Sequence, residues 1–185
     1  LDVTNPEAAR WLKEIVKDEL FGTARCDGYM ADFAEALPFE ARMWNGQSGQ
    51  DFHNAYPLGW ARLQREAVEE AGMLGEALVF HRSGHTRSPA HALSFWQGDQ
   101  MTTWDRHDGL ESALHGLLNG GFSGIAINHS DTGGYTSLSR AGLGYLRERE
   151  LLMRWAELNA FTAILRTHEG NQPGDNPQVY TDDDT

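Results

Sequence analysis

Apolar positions along the chain alternate between helical stripes and short, nearly continuous runs. Leu12, Ile15, Val16 and Leu20 recur at the spacing of one helical face, after a start signal of Thr4-Asn5-Pro6-Glu7 and before a stop at Gly22. A second helix is predicted over 57–73, with Arg62/Glu66 and Arg65/Glu69 able to pair along its outer face. A third carries Leu110, Leu114, Leu117 and Leu118 and stops at Gly120-Gly121. A fourth is predicted over 140–161, with Leu151, Trp155 and Leu158 on one stripe. Between them lie short apolar runs that read as buried strands: 26–33, 76–81, 93–98, 124–128 and 163–166. The stretch 38–54 is predicted to be loop, as are the segment around Gly84 and Pro89 and the closing stretch with Pro173, Gly174 and Pro177.

This alternation predicts an α/β fold, a parallel sheet with helices packed outside it. Polar residues gather where the strands end: Asp32, Arg82, Asp99, Asp131 and His168. A (β/α)8 TIM barrel sets its chemistry on that rim, and an open doubly wound sheet binds ligands at the same end, so the pattern alone fits both. No Gly-rich phosphate fingerprint follows the first strand, which argues against a nucleotide-binding sheet.

Composition adds limits. The chain has 185 residues, 40% of them hydrophobic, and a formal net charge of −12 with no basic run, which excludes a nucleic-acid backbone as partner. No apolar run is long enough to span a bilayer, so no membrane partner is expected. Cys26 stands alone, which fits a reducing, cytoplasmic setting. The run Asp182-Asp183-Asp184 reads as a solvated tail. His81 and His85 are spaced four apart but straddle a strand end and a Gly loop, so no metal site is expected. The chain begins at Leu1 rather than Met and is read as an internal piece of a longer protein.

Asp32 and Asp99 end separate strands, and a pair of carboxyl groups facing one pocket is what glycosidic bond cleavage needs. About 5–5.5 Å between them gives direct attack and retention, and a wider gap admits water and gives inversion. Taken singly, each Asp reads equally as a cap or a loop residue.

Four segments together resemble glycoside hydrolase family 31. Gly28-Tyr29-Met30-Ala31-Asp32-Phe33-Ala34-Glu35 is similar to that family's nucleophile motif, and Phe95-Trp96-Gln97-Gly98-Asp99-Gln100 to its acid/base motif. His129-Ser130-Asp131-Thr132-Gly133-Gly134-Tyr135 resembles its Asp-Ile-Gly-Gly-aromatic segment, and Arg166-Thr167-His168-Glu169-Gly170-Asn171 its late Arg-x-His segment. The resemblance covers nearly the whole chain. It implies a partial TIM barrel, about its fourth to eighth strands. Residues 1–185 would then form part of one catalytic domain, with the first strands and the flanking β domains lying outside.

It also implies roles. Asp32 would be the nucleophile and Asp99 the acid/base, with Phe95, Trp96 and Trp104 supplying the apolar surroundings a proton-donating carboxyl needs. Arg82, Trp96, Gln97, Asp131, Tyr135 and His168 would bind substrate. Gly133-Gly134 would let the loop approach a ligand closely. Phe33-Ala34 after the nucleophile, Gln100 after the acid/base and Tyr135 after the Gly pair resemble the sulfoquinovosidases of that family, in which such a Tyr helps bind a sulfonate. The resemblance therefore implies hydrolysis of small α-sulfoquinovosides with no cofactor, and is compatible with a homo-oligomeric full-length protein. The rival readings are an α-glucosidase or α-xylosidase of the same family, and an inactive fragment.

Overall fold

The computed structural model describes residues 1–140 and 143–181; the acidic run at 182–184 lies outside them. The chain divides into two compact units, Leu1–Phe95 and Trp96–Thr185.

In the first unit, α1 (Pro6–Ile15) begins where the sequence signals it. The Asn5 side chain accepts from the Glu7 and Ala8 amides, and Pro6 takes a position whose N–H would have no helical partner. The helix does not stop at Gly22 but continues as a wider π-helical stretch, Val16–Thr23. β1 (Gly28–Ala31), α2 (Gly49–Phe52), α3 (Tyr56–Glu70), β2 (Leu78–His81) and β3 (Ser94–Trp96) follow. β1, β2 and β3 are neighbours and parallel, with Gly28 opposite Leu78 and His81 opposite Phe95. The stretch read as loop over 38–54 holds α2, because Ser48 caps its first turn by accepting from the Asp51 amide at 3.1 Å.

α3 packs on the strands through polar as well as apolar contacts. The Tyr29 hydroxyl donates to Gln64 at 2.7 Å and the Trp60 indole to the Ala31 carbonyl at 3.4 Å. Of its two expected surface pairs, Arg65–Glu69 forms at 2.5 Å, whereas Glu66 accepts from Lys13 of α1 at 3.3 Å. A hydrophobic cluster of Ala34, Met43 and Tyr56, joined by Val3, Leu37, Phe52 and Trp60, anchors the chain that leaves β1.

In the second unit, the Gln97 amide donates to the His129 carbonyl at 2.9 Å, so the chain leaving β3 runs beside β4 (Ile127–His129). α4 (Leu110–Phe122) runs through Gly120-Gly121, and Gly124, with φ +85, makes the left-handed turn that ends it. β5 (Asp131–Thr132) pairs in parallel with β8 (Arg166–Thr167).

The helix predicted over 140–161 is half as long. Residues 141 and 142 of that prediction lie outside the described residues; β6 (Leu138–Arg140) instead pairs antiparallel with β7 (Leu143–Tyr145), and α5 is Arg149–Asn159. Leu143-Gly144-Tyr145 alternates with the period of a strand, but over three residues that signal is too short to compete with a helical stripe. α5 and α4 meet over Ala113, Leu151 and Trp155, each at most 1% exposed, with Leu110 and Leu158 at the margin.

Candidate active site

Asp32 is the first residue after β1, and the chain turns there in an unusual way. Phe33 and Ala34 both have left-handed backbones, φ 61 and 80. Side chains other than glycine rarely adopt that region, at a cost of about 1–2 kcal/mol each, so the surroundings must impose it. They do so from two sides: Ala34 is buried in the Met43–Tyr56 cluster, and Ser83 donates to the Phe33 carbonyl at 2.7 Å. The Asp32 carboxylate accepts from the Phe33 amide at 2.7 Å.

Arg82 sits at the end of β2. Its guanidinium lies 3.2 Å from the Asp32 carboxylate, bonds to Glu35, and stacks over the Phe33 ring at 4.2 Å from its centre. The first unit thus brings Asp32, Arg82 and Glu35 together. Glu35 had no role in the sequence reading, although it lies in the same motif.

The last residue of β2, beside Arg82, is structural. His81 is 1% exposed, packed against the Phe95 ring at 5.8 Å, and burial pushes its pKa down to about 4. His85 uses its Nδ1 to accept from the Arg87 amide at 3.2 Å. Among the described residues no cluster of three or more His, Cys, Asp or Glu side chains could hold a metal ion, and no helix is long and apolar enough to cross a membrane.

In the second unit, Asp131 is the most perturbed carboxyl. It is 1% exposed and paired with Arg166. Burial pushes its pKa up to about 6, against the pull of Arg166 and with a further push from the charge of Asp99. The strand that carries it is clamped from α5. Asn159 accepts from the Ser130 hydroxyl at 3.0 Å and donates to the Ser130 carbonyl and the Thr132 hydroxyl at 2.9 and 2.8 Å. The Trp155 indole donates to the Ser130 hydroxyl at 2.8 Å. All four side chains are fully buried, so this network is both satisfied and rigid.

Trp96 is buried with the Arg166 guanidinium over its ring at 5.7 Å. Gln97 turns the other way: its amide donates to Asn128 at 2.8 Å, against Gly116 of α4, so its polar group is committed to the helix layer. Tyr135 meets His168 edge to face, ring centres 4.9 Å apart at 87°. Its hydroxyl takes no hydrogen bond from the described residues. Burial, then Arg166 and Arg147, push the His168 pKa down, which favours the neutral imidazole.

Asp99 is solvent-exposed, so it lacks the desolvated setting expected for it; Trp104 is 43% exposed, its indole donating to Glu148 at 3.2 Å. Its backbone is tied to the Tyr135 loop: Thr136 donates to the Asp99 carbonyl at 2.8 Å, and the Tyr135 and Thr136 amides donate to Gln100. Asp99, Asp131, Tyr135, Arg166 and His168 therefore converge.

Gly133 and Gly134, φ +88 and +75, are required by close approach to neighbouring protein atoms. A Cβ at Gly133 would come 2.7 Å from Arg147 Nε, and one at Gly134 2.8 Å from the Met101 carbonyl.

Residues 1–184 match the model described as "Glycosyl hydrolases family 31 TIM-barrel domain". The chain is 45% identical to a sulfoquinovosidase of Escherichia coli (strain K12) over 185 residues, all of this chain and 26% of that one. It is 46% identical to a sulfoquinovosidase of Agrobacterium fabrum, over 99% of this chain and 27% of the relative. It superposes on a solved GH31 family sulfoquinovosidase from E. rectale, in complex with the aza-sugar inhibitor IFGSQ, with a TM-score of 0.93 and 44% identity, covering 100% of this chain and 27% of that one. The chain thus spans about a quarter of the length of the curated relatives it matches. With its α/β alternation, its charged strand ends and a family match over almost every residue, the chain belongs to glycosyl hydrolases family 31, within the TIM-barrel domain.

Proposed function

We propose that this chain supplies the catalytic residues of a retaining α-glycosidase that hydrolyses α-sulfoquinovosides, such as sulfoquinovosyl glycerol, to release sulfoquinovose. The observation that carries the reading is 45% identity to a sulfoquinovosidase across every residue of the chain. Residues 1–185 would be part of a larger (β/α)8 barrel. Phe122 and Phe161, 94% and 92% exposed here, would then be covered by its remaining elements.

In this mechanism an oxygen of the Asp32 carboxylate attacks the anomeric carbon. The glycosidic bond breaks as Asp99 gives its proton to the leaving oxygen, which leaves a glycosyl ester on Asp32. Asp99 then takes a proton from water, the water oxygen attacks the same carbon, and the ester breaks with net retention. Arg82 holds the Asp32 carboxylate against the turn at Phe33. Asp131, braced by Arg166, accepts from sugar hydroxyls and the neutral His168 adds a second polar contact, while Trp96 forms an apolar wall. Gln97 supports that wall from the helix side. The unengaged Tyr135 hydroxyl donates to the sulfonate, a charge-assisted bond. The reaction calls for no cofactor. A cytoplasmic, homo-oligomeric full-length enzyme fits the reading.

The test is hydrolysis of nitrophenyl α-sulfoquinovoside against nitrophenyl α-glucoside by the whole polypeptide that carries this domain. Strong preference for the sulfonated sugar is expected; preference for the glucoside would replace the reading with that of a neutral α-glycosidase.

A further inference from the structure

Arg147 falls within the helix predicted over 140–161, yet it precedes α5 and is 3% exposed. All five N–H groups of its guanidinium are used, and each meets an uncharged oxygen. Nε donates to the Gly133 carbonyl at 3.0 Å. Nη2 donates to the carbonyls of Gly134 and His168 at 2.6 and 2.8 Å. Nη1 donates to the Pro177 carbonyl and the Gln178 side chain, both at 3.2 Å. Its own amide donates to Asn176 at 2.9 Å. Segments 133–134, 168 and 177–178 are thereby tied to one planar group whose donor directions are fixed by its geometry.

Burying a cation against carbonyls alone is costly, since no carboxylate among the described residues reaches its N–H groups. What it does is local. Gly134 precedes Tyr135, and His168 is itself one of the tied residues. The two rings that meet edge to face are each set by a carbonyl that Arg147 holds. The Asn171 amide closes the same loop by donating to the Tyr135 carbonyl at 3.2 Å.

We propose that Arg147 is a positioning residue that holds Tyr135 and His168 in register for the sulfonated sugar. The effect on substrate rests on the functional reading above; the clamp itself does not. A lysine offers one compact cation and cannot span these acceptors, so Arg147→Lys removes the clamp while keeping the charge.

The experiment uses the whole polypeptide and two readouts. In R147K, hydrogen exchange over 133–137 and 168–172 speeds up by about tenfold or more while α5 keeps its wild-type rate. KM for nitrophenyl α-sulfoquinovoside rises by about tenfold with a much smaller change in kcat. Gln178→Ala removes one Arg147 acceptor together with the Gln178 side chain's own bonds to the Glu169 and Pro173 carbonyls, so if R147K does not fold it is read over 133–137 alone, where a weaker change is expected. Leu151→Ala, a buried residue of α5, serves as the control for general loss of stability. Exchange in the two segments that rises no more than in L151A, or an unaltered KM in an active R147K enzyme, overturns the proposal. A wild-type protein that fails to cleave the sulfoquinovoside sinks the functional reading alone, and the exchange pattern still decides the clamp.

Discussion

Replacing Asp131 by Asn tests how the second unit handles a buried charge. The wild-type carboxyl is 2% exposed, and burial raises its pKa from 3.8 to about 6 in spite of Arg166. The folded protein then keeps this proton over a pH window in which the unfolded chain has already released it. Because the folded state binds more protons there, stability falls as pH rises from 3.8 to about 6. The interval corresponds to about 3 kcal/mol, fully expressed by pH 7. Asp131→Asn cannot titrate, so it lacks this slope, and it removes the Asp131 charge from beside Arg166 at every pH. Carboxylates remote from Asp131 titrate alike in both proteins and cancel in the difference; Asp99, whose charge acts on Asp131, is held constant by making the comparison in a D99N background. Thermal unfolding of wild type and D131N, compared from pH 4 to pH 7.5 at fixed ionic strength, should show wild type losing ground to the variant by about 3 kcal/mol as pH rises. A difference that stays constant, or one that moves in favour of wild type with rising pH, would refute the argument that burial outweighs the ion pair.

Other substitutions probe single contacts. Asn159→Ala leaves buried groups of Ser130 and Thr132 unpaired and should destabilise by about 3 kcal/mol, read from a denaturant midpoint; a loss under about 1 kcal/mol would mean the network contributes little. Gly133→Ala adds a Cβ 2.7 Å from Arg147 Nε at φ +88, and a loss of about 2–3 kcal/mol in thermal unfolding is expected. Arg82→Met frees the Asp32 carboxylate from its ion pair and should lower kcat on nitrophenyl α-sulfoquinovoside by about a hundredfold with a small change in Tm; an unchanged kcat would remove Arg82 from the mechanism. KM for that substrate should rise as pH falls through about 6, where Asp131 gains its proton and stops accepting from hydroxyls on that oxygen; a flat KM would separate Asp131 from binding.

Helix starts and strand ends were legible in the sequence. The strand segments fell where short apolar runs met polar ends, and α1 began at its Asn5 and Pro6 signals. Three features were hidden for physical reasons. Gly120-Gly121 looked like a stop, but a glycine ends a helix only where the backbone turns left-handed, and that turn is made at Gly124. The strand pair β6–β7 was partly absorbed into the predicted helix because its strands are three residues each. That error concealed Arg147, whose partners are backbone carbonyls that leave no mark in side-chain patterning. The left-handed pair Phe33-Ala34 was equally silent, since its conformation is imposed by Ser83 and the Met43–Tyr56 cluster rather than by its own residue types. Asp32 and Asp99 were found by motif; the surroundings that govern Asp131 needed coordinates.

The central claim is that Asp32 forms a covalent bond to the sugar. Incubating the whole polypeptide with a fluorinated sulfoquinovosyl fluoride, which slows breakdown of a glycosyl ester, and mapping the adduct by peptide mass spectrometry tests it directly. The account predicts one added sulfoquinovosyl group, carried by the peptide that contains Asp32 and absent from D32N. An adduct on any other carboxylate, or turnover that proceeds normally in D32N, would contradict it.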